Sequence, residues 1–313
     1  MFLSDNIPVR VAAIVDETPM VKRFTLQSCS GDALPPFCGG SHVVTYLNNG
    51  LQRRYSLTSY EKGEYEIAVQ LHPQSKGGSH YFHHHVKTGD TLNISSPKNY
   101  FQLSHRAKRH VFYAAGIGIT PVLSLMKEAE KSAKPFELHY AARSREQCAF
   151  YKRLLRDYPE KCTFYFSNEG CRMNSEVLRQ HLVGTNVYLC GPDRFITEFT
   201  YGASNVGFPS HNVHSERFSP PISHDSTPFT SELSDGRQIS VPADRSLLDM
   251  LLDAGVKAPH SCRAGRCGTC EVRVSFGIVD HRDEFLSEEE RTAQNVILTC
   301  VSRAKTPILG IEI

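Results

Sequence analysis

Four cysteines toward the C-terminal end carry the most specific chemistry in this chain. Cys262, Cys267, Cys270 and Cys300 follow the spacing C-x4-C-x2-C-x29-C, a plant-type arrangement in which four thiolates hold a [2Fe–2S] cluster. Three of them fall within nine residues and can wrap one face of a cluster. Gly265 and Gly268 between them let backbone amides approach the sulfides without interference from a Cβ. Cys300 ends the apolar run Val-Ile-Leu-Thr-Cys and is expected to close the cage from a neighbouring strand. Structural zinc would favour two C-x2-C knuckles, and only one such pair exists here. A centre of this kind moves one electron at a time and breaks no substrate bond. The rest of the chain must therefore supply electrons and pass them on.

Two further sets of residues suit nucleotides. Arg54, Tyr55 and Ser56, with Leu57 completing the run, end a strand-like stretch. They offer a cation for a phosphate, an aromatic ring for an isoalloxazine, and a hydroxyl for the ring edge. Strand alternation puts Arg54 and Ser56 on one side and Tyr55 on the other. Lys76, Gly77, Gly78 and Ser79 open a helix-like stretch, where free amides and a hydroxyl can receive a phosphate. His83, His84 and His85 follow and are expected on the solvated surface, since consecutive helical residues point in different directions.

The run Ala114-Ala115-Gly116-Ile117-Gly118-Ile119-Thr120-Pro121 joins a β-run to a helix. Its glycines permit a tight turn, Thr120 can cap, and Pro121 suits the first helical position. Pro121 occupies the third glycine position of G-x-G-x-x-G, which disfavours a Rossmann dehydrogenase but keeps a phosphate-binding turn. Cys190, Gly191 and Pro192 end a later β-run at a location where a nicotinamide can lie. Arg143, Ser144 and Arg145 end another strand, where adenosine ribose usually sits. Two arginines and a serine also fit a 2′-phosphate, so charge leaves NADH and NADPH both open.

The elements that must position these residues show three textures. Residues 1–103 alternate in short segments punctuated by glycine, proline and asparagine, the pattern of an antiparallel β-barrel or sandwich. Residues 104–222 alternate strands with helices expected at 120–131, 147–157, 175–182 and 194–204, the pattern of a parallel α/β sheet. A polar, proline-containing stretch at 219–228 reads as a linker. Residues 229–313 open with a hairpin turning at Asp235-Gly236, followed by a helix at 246–254 and the cysteine loop. Ser287 and Glu290 form a capping box for one more helix.

The 313 residues are 40% hydrophobic and 22% charged with a net charge of +2. That balance points to neither a nucleic acid nor a membrane surface. No apolar run approaches the ~20 residues of a membrane span. The six remaining cysteines, Cys29, Cys38, Cys148, Cys162, Cys171 and Cys190, are scattered. With no signal-peptide pattern at the start, they read as reduced thiols in a cytoplasmic protein.

Occurring together and in this order, the motifs resemble the phthalate dioxygenase reductase and vanillate demethylase reductase family. The resemblance rests on RYSL from Arg54, GGS from Gly77, AGIGITP from Ala115, CGP from Cys190, ERF from Glu216 and the four cysteines. It implies an FMN-binding β-barrel, an NAD(P)-binding α/β domain and a C-terminal β-grasp ferredoxin domain. By the same resemblance, Arg54, Tyr55, Ser56, Leu57, Lys76, Gly77, Gly78 and Ser79 hold FMN. Gly116, Gly118, Thr120, Arg143, Ser144, Cys190, Gly191 and Pro192 contact the nicotinamide nucleotide, and Phe218 covers the flavin face. Ser56, Cys190 and Phe218 then stand at the reacting centre.

The implied relay runs from NADH, with NADPH possible, to FMN, then to the [2Fe–2S] cluster and on to a terminal Rieske non-haem iron oxygenase. That partner is expected in a transient complex, met by charges near the cluster such as Arg263, Arg266, Asp280, Asp283 and Glu288–Glu290. Two alternatives stand beside it: a reductase serving a cytochrome or small-molecule acceptor, and a redox-sensing iron–sulfur protein without turnover.

Overall fold

A computed structural model describes residues 6–47, 50–59, 63–73, 77–181, 184–218 and 226–313. Its contacts divide the chain into two compact units, 1–216 and 217–313. The expected first and second domains therefore share one unit.

The barrel strands are β1 (Ile7–Thr18), β2 (Val21–Ser28), β3 (Ser41–Tyr46), β4 (Gln52–Ser56), β5 (Glu64–Gln70), β6 (Thr91–Ile94) and β7 (Lys98–Asn99). They pair in the order β4-β3-β6-β1-β2-β5, with β7 beside β3. An antiparallel bridge between Leu57 and Ile67 brings the two ends together. Alternation fills the interior: Val9 and Val11 of β1, Phe24 and Leu26 of β2, and Val43 of β3 are fully buried. A bulge between Val11 and Ala13 bends β1, letting it pair with β6 at one end and β2 beyond. Helix α1 (Gly78–His84) inserts Phe82 edge-on against Phe24, with ring centroids 5.1 Å apart. Of the three consecutive histidines, His84 and His85 are exposed but His83 is buried. Its Nε2 lies 2.8 Å from the Val69 carbonyl and pins α1 to β5, which corrects the surface expectation.

The α/β layer holds β8 (Arg109–Ala115), β9 (Phe136–Ala142), β10 (Cys162–Phe166), β11 (Thr185–Cys190) and β12 (Val213–Glu216). All are parallel, in the order β10-β9-β8-β11-β12. Helix α2 (Ile119–Lys131) covers one face together with Phe112 and Ala114. On the other face, Val111, Tyr113, Val187 and Leu189 pack with Phe199 and Ala203 of a later helix. Burial on both faces explains the nearly continuous apolar strands. Helix α3 (Tyr151–Asp157) is shorter than expected, since Phe150 before it takes a left-handed φ of 62°. The expected 175–182 helix is a 3-10 turn over Ser175–Gln180, and α4 (Asp193–Asn205) matches its expectation closely.

Barrel and α/β layer merge because they share a core. Val21, Ala68, Phe101 and Leu103 of the barrel side join the cluster beneath α2. The Gly40 amide donates to Ser124 Oγ at 3.0 Å, the Gly39 amide donates to the Glu128 carboxylate, and Arg153 pairs with Glu66 at 2.8 Å.

The second unit contains β13 (Phe229–Leu233), β14 (Gln238–Val241), β15 (Glu271–Phe276), β16 (Val279–Asp280), β17 (Val296–Leu298), β18 (Arg303–Ala304) and β19 (Ile308–Glu312). Five strands form a mixed sheet, β14-β13-β19-β15-β17, with β13 and β19 parallel. Helix α5 (Leu247–Asp253) starts where Ser246 accepts from the Asp249 amide. It buries Leu247, Leu248 and Leu251 in the unit's core. Helix α6 (Glu288–Ala293) begins on the full Ser287–Glu290 capping box. Among the described residues, no helix is long and apolar enough to cross a membrane.

Candidate functional site

The four cysteines converge through strand pairing. β15 starts directly after Cys270, and its Glu271 pairs with Leu298 of β17, two residues before Cys300. Thr299 donates to the Cys270 carbonyl from its amide at 3.2 Å and its hydroxyl at 3.1 Å. Cys270 and Cys300 are each 2% exposed. In the loop, the Ala264 and Arg266 amides each donate to Cys262 Sγ at 3.4 Å, and the Cys262 amide donates to Cys267 Sγ at 3.3 Å. Contact with Cys267 Sγ, aided by those amides, holds the Cys262 thiol well below its usual range. Contact with Cys300 lowers Cys270 to about 7. A set of four converging sulfurs with backbone amides aimed at sulfur fits the demands of an iron–sulfur cluster.

The nucleotide turns meet at the C-terminal ends of β8 and β11. A Cβ on Gly118 would lie 2.2 Å from the Cys190 carbonyl oxygen and 2.6 Å from the Gly191 nitrogen, so only glycine allows the two turns to touch. β8 is also where the strand order reverses, the topological switch point of an open parallel sheet. Thr120 departs from the capping expectation. It is 2% exposed and donates its hydroxyl to the Ile117 carbonyl at 2.9 Å, inside a helix that begins at Ile119. Pro121 is the third helical residue because a 3-10 turn over Gly116–Gly118 runs straight into α2. Cys190 is fully buried in the core, leaving half-buried Gly191 and exposed Pro192 at the surface of that turn.

At the end of β9, Arg145 makes two bonds to Glu169, at 2.8 and 3.1 Å, and one to Tyr151 Oη at 2.7 Å. Its guanidinium also lies 4.9 Å from the Phe166 ring centre. Arg143 is exposed and has no ion pair among the described residues, and Ser144 is 8% exposed. Of these two arginines, Arg143 is the one without an ion pair among the described residues.

In the barrel, Tyr55 pairs with Val43, Arg54 with Val44 and Ser56 with His42, as alternation requires. Tyr55 packs edge-on against Phe82 of α1 at 5.0 Å, and burial raises its phenol pKa above the usual range. Ser56 is 6% exposed, and Leu57 lies wholly in the core. Among the described residues, Arg53 is a cation lying beside the start of α1, a residue the motif reading passed over. A Cβ on Gly78 would lie 2.5 Å from Arg53 Nε and 2.6 Å from its Cγ. Arg53 and Tyr55 thus share the α1-facing side of β4, while Arg54 lies on the other. Alternation counted back from Tyr55 could have found it. Ser79 accepts from the His72 amide at 3.2 Å. Lys76 lies outside the described residues. Phe218 belongs to the second unit and is 49% exposed.

Residues 231–305 match the 2Fe-2S iron-sulfur cluster binding domain. Residues 92–213 match the N-terminal domain of the dimethylamine monooxygenase subunit DmmA-like family. The chain is 38% identical to a vanillate O-demethylase oxidoreductase from Acinetobacter baylyi, over 98% of this chain and 99% of that one. It is 39% identical to a heme-dependent oxidative N-demethylase beta subunit from Ectopseudomonas mendocina, over 98% and 99% of the two chains. Among solved structures, it is similar to a phthalate dioxygenase reductase described as a modular structure for electron transfer from pyridine nucleotides to [2Fe-2S]. That match has a TM-score of 0.77 and 32% identity, and it covers 98% of each chain.

Proposed function

Since the chain belongs to the phthalate dioxygenase reductase and vanillate demethylase reductase family, we propose that it is the reductase component of a multi-component oxygenase, carrying electrons from NADH through FMN and its [2Fe–2S] cluster to the oxygenase. The observation that carries this reading is the convergence of Cys262, Cys267, Cys270 and Cys300 with amides donating to their sulfurs.

FMN supplies the step between a two-electron hydride donor and a one-electron cluster. The chain's own residues bind, orient and shield. Arg53 and the first amides of α1 would hold the FMN phosphate, the cation being placed there by Gly78. Tyr55 offers an aromatic surface fixed by Phe82, and Ser56 a hydroxyl at the strand end. Gly116, Gly118 and Gly191 let the nucleotide's pyrophosphate and nicotinamide approach backbone, and Arg143 would meet the adenosine ribose. Cys190 and Thr120 are buried and shape those turns from beneath. No general acid or base is needed, because hydride transfer depends on positioning.

The partner follows in two versions. The demethylase and dioxygenase relatives fit the Rieske iron oxygenase that the family resemblance implies. The heme-dependent oxidative N-demethylase relative supports a haem-dependent oxygenase instead.

The test is anaerobic. The purified protein's flavin is released and identified, NADH is added, and visible and electron paramagnetic resonance spectra are followed. FMN equimolar with protein and a rhombic reduced-cluster signal support the relay. Absence of flavin, or a cluster that stays oxidised, overturns it. Mixing the reduced protein with each oxygenase class in a stopped-flow instrument then separates the two partners by which one reoxidises the cluster.

A further inference from the structure

We propose that Glu137, His139 and His181 bind one divalent transition-metal ion of the zinc type, apart from the redox cofactors. Glu137 and His139 lie two apart on β9 and so face the same side of the sheet. That side is opposite the α2 core, in which the intervening Leu138 is fully buried. His181 follows directly on the Ser175–Gln180 turn and meets them there. One donor atom from each residue lies within 4.8 Å of the other two.

The distances suit a single ion shared by the three residues. His181 Nδ1 is 3.1 Å and His139 Nε2 is 3.6 Å from Glu137 Oε1. A tetrahedral zinc ion with bonds of about 2.0–2.1 Å holds its donors about 3.3–3.4 Å apart, between those two values. The 3.6 Å separation is too long for a hydrogen bond.

The outer contacts have the form expected around metal-ligating histidines. His139 Nδ1 is 2.9 Å from Tyr165 Oη, and His181 Nε2 contacts the Tyr113 hydroxyl. Arg109 pairs with Glu137 Oε2 at 2.5 Å, leaving Oε1 for the ion. Each ligand is thus anchored at its far atom, which fixes ring orientation and places imidazole protons outward. The Tyr113 ring also stacks on His139 at 4.9 Å. The histidine side chains are 9% and 4% exposed, while Glu137 at 27% provides the route inward. Two imidazoles and one carboxylate leave a fourth position for water, and this donor set suits zinc better than calcium or magnesium.

The site is remote from the nucleotide turns. Glu137 pairs with Val111 near the start of β8, five residues or roughly 16 Å from Gly116. An ion there would tie the 175–181 segment to β9.

Holoprotein carrying flavin and cluster is incubated with a small excess of zinc chloride and gel-filtered, and metal is counted by mass spectrometry. Wild type is expected to retain about one zinc per chain, with His181→Gln and Glu137→Gln retaining at least tenfold less. His80→Gln/His84→Gln, which removes two exposed histidines 4.3 Å apart on α1, should retain as much as wild type. NADH-driven flavin reduction at the wild-type rate shows that the variants are folded. X-ray absorption of wild type at the zinc edge should show nitrogen and oxygen neighbours with imidazole scattering. This readout stands even if a variant fails to fold. No retained zinc in wild type, retention unaffected by His181→Gln, or a sulfur shell from emptied cluster cysteines would each overturn the proposal.

Discussion

Arg53→Gln and Arg54→Gln should behave very differently. Arg53 runs along Gly78, with its Nε 2.5 Å from where a Cβ would stand, whereas Arg54 occupies the opposite side of β4 beside Val44. A guanidinium–phosphate hydrogen bond contributes about 1.5–3 kcal/mol. At 1.36 kcal/mol per factor of ten, Arg53→Gln should weaken FMN binding by about 10- to 150-fold. Riboflavin lacks the phosphate, so its affinity should change by less than about threefold, and the preference for FMN over riboflavin should collapse. Arg54→Gln should leave that preference nearly intact. Gly78→Ala pushes a methyl group into Arg53, so its effect should overlap with that of Arg53→Gln and the double variant should fall short of additivity. The assay is titration of deflavinated protein with each flavin, followed by fluorescence quenching. Unchanged preference in Arg53→Gln, or collapse in Arg54→Gln, would refute the assignment.

Other outcomes follow from the same geometry. His110 is fully buried beside Tyr188 and Phe112, and burial, with the Lys134 and His214 charges adding, pushes its pKa down to about 4. The folded state thus refuses a proton that the unfolded chain accepts near 6.5. Its contribution leaves stability untouched above that pH and lowers it, by up to about 3 kcal/mol, as pH falls toward 4. Urea unfolding of His110→Leu should show a flatter acid limb over that window; an unchanged slope would discard the idea. Gly118→Ala must separate the two nucleotide turns, so the KM for NADH should rise about tenfold or more at constant flavin content. Cys267→Ser should lose iron and the reduced-cluster resonance while NADH still bleaches the flavin, and loss of both would contradict the separate sites. Arg143→Ala should weaken NADPH by about tenfold and NADH by far less, measured as the ratio of their KM values. Equal losses would remove Arg143 from the ribose site.

Local chemistry was plain in the amino-acid order. Ligand spacing around Cys262–Cys270, the Ser287–Glu290 capping box and the strand–helix rhythm of the α/β layer all depend on residues close in the chain. Such patterns survive being read one dimension at a time. Thr120 and His83 were misjudged because their environments come from elsewhere: a 3-10 turn that moves the helix start, and the Val69 carbonyl of β5. Arg53 was overlooked for the same reason. Two adjacent arginines are equivalent on paper, and only the packing of α1 over one side of β4 separates them. Nor could composition show that barrel and α/β layer share a core, since Val21, Ala68 and Phe101 meet α2 only after folding.

The residues themselves determined which cofactor chemistry this chain can support, because thiolates, glycine turns and cations act through type and short-range spacing. Tertiary structure alone decided which arginine lies against Gly78 and which histidines share a carboxylate. Those choices depend on contacts between residues far apart in the chain, such as His181 with Glu137, and no local pattern encodes them.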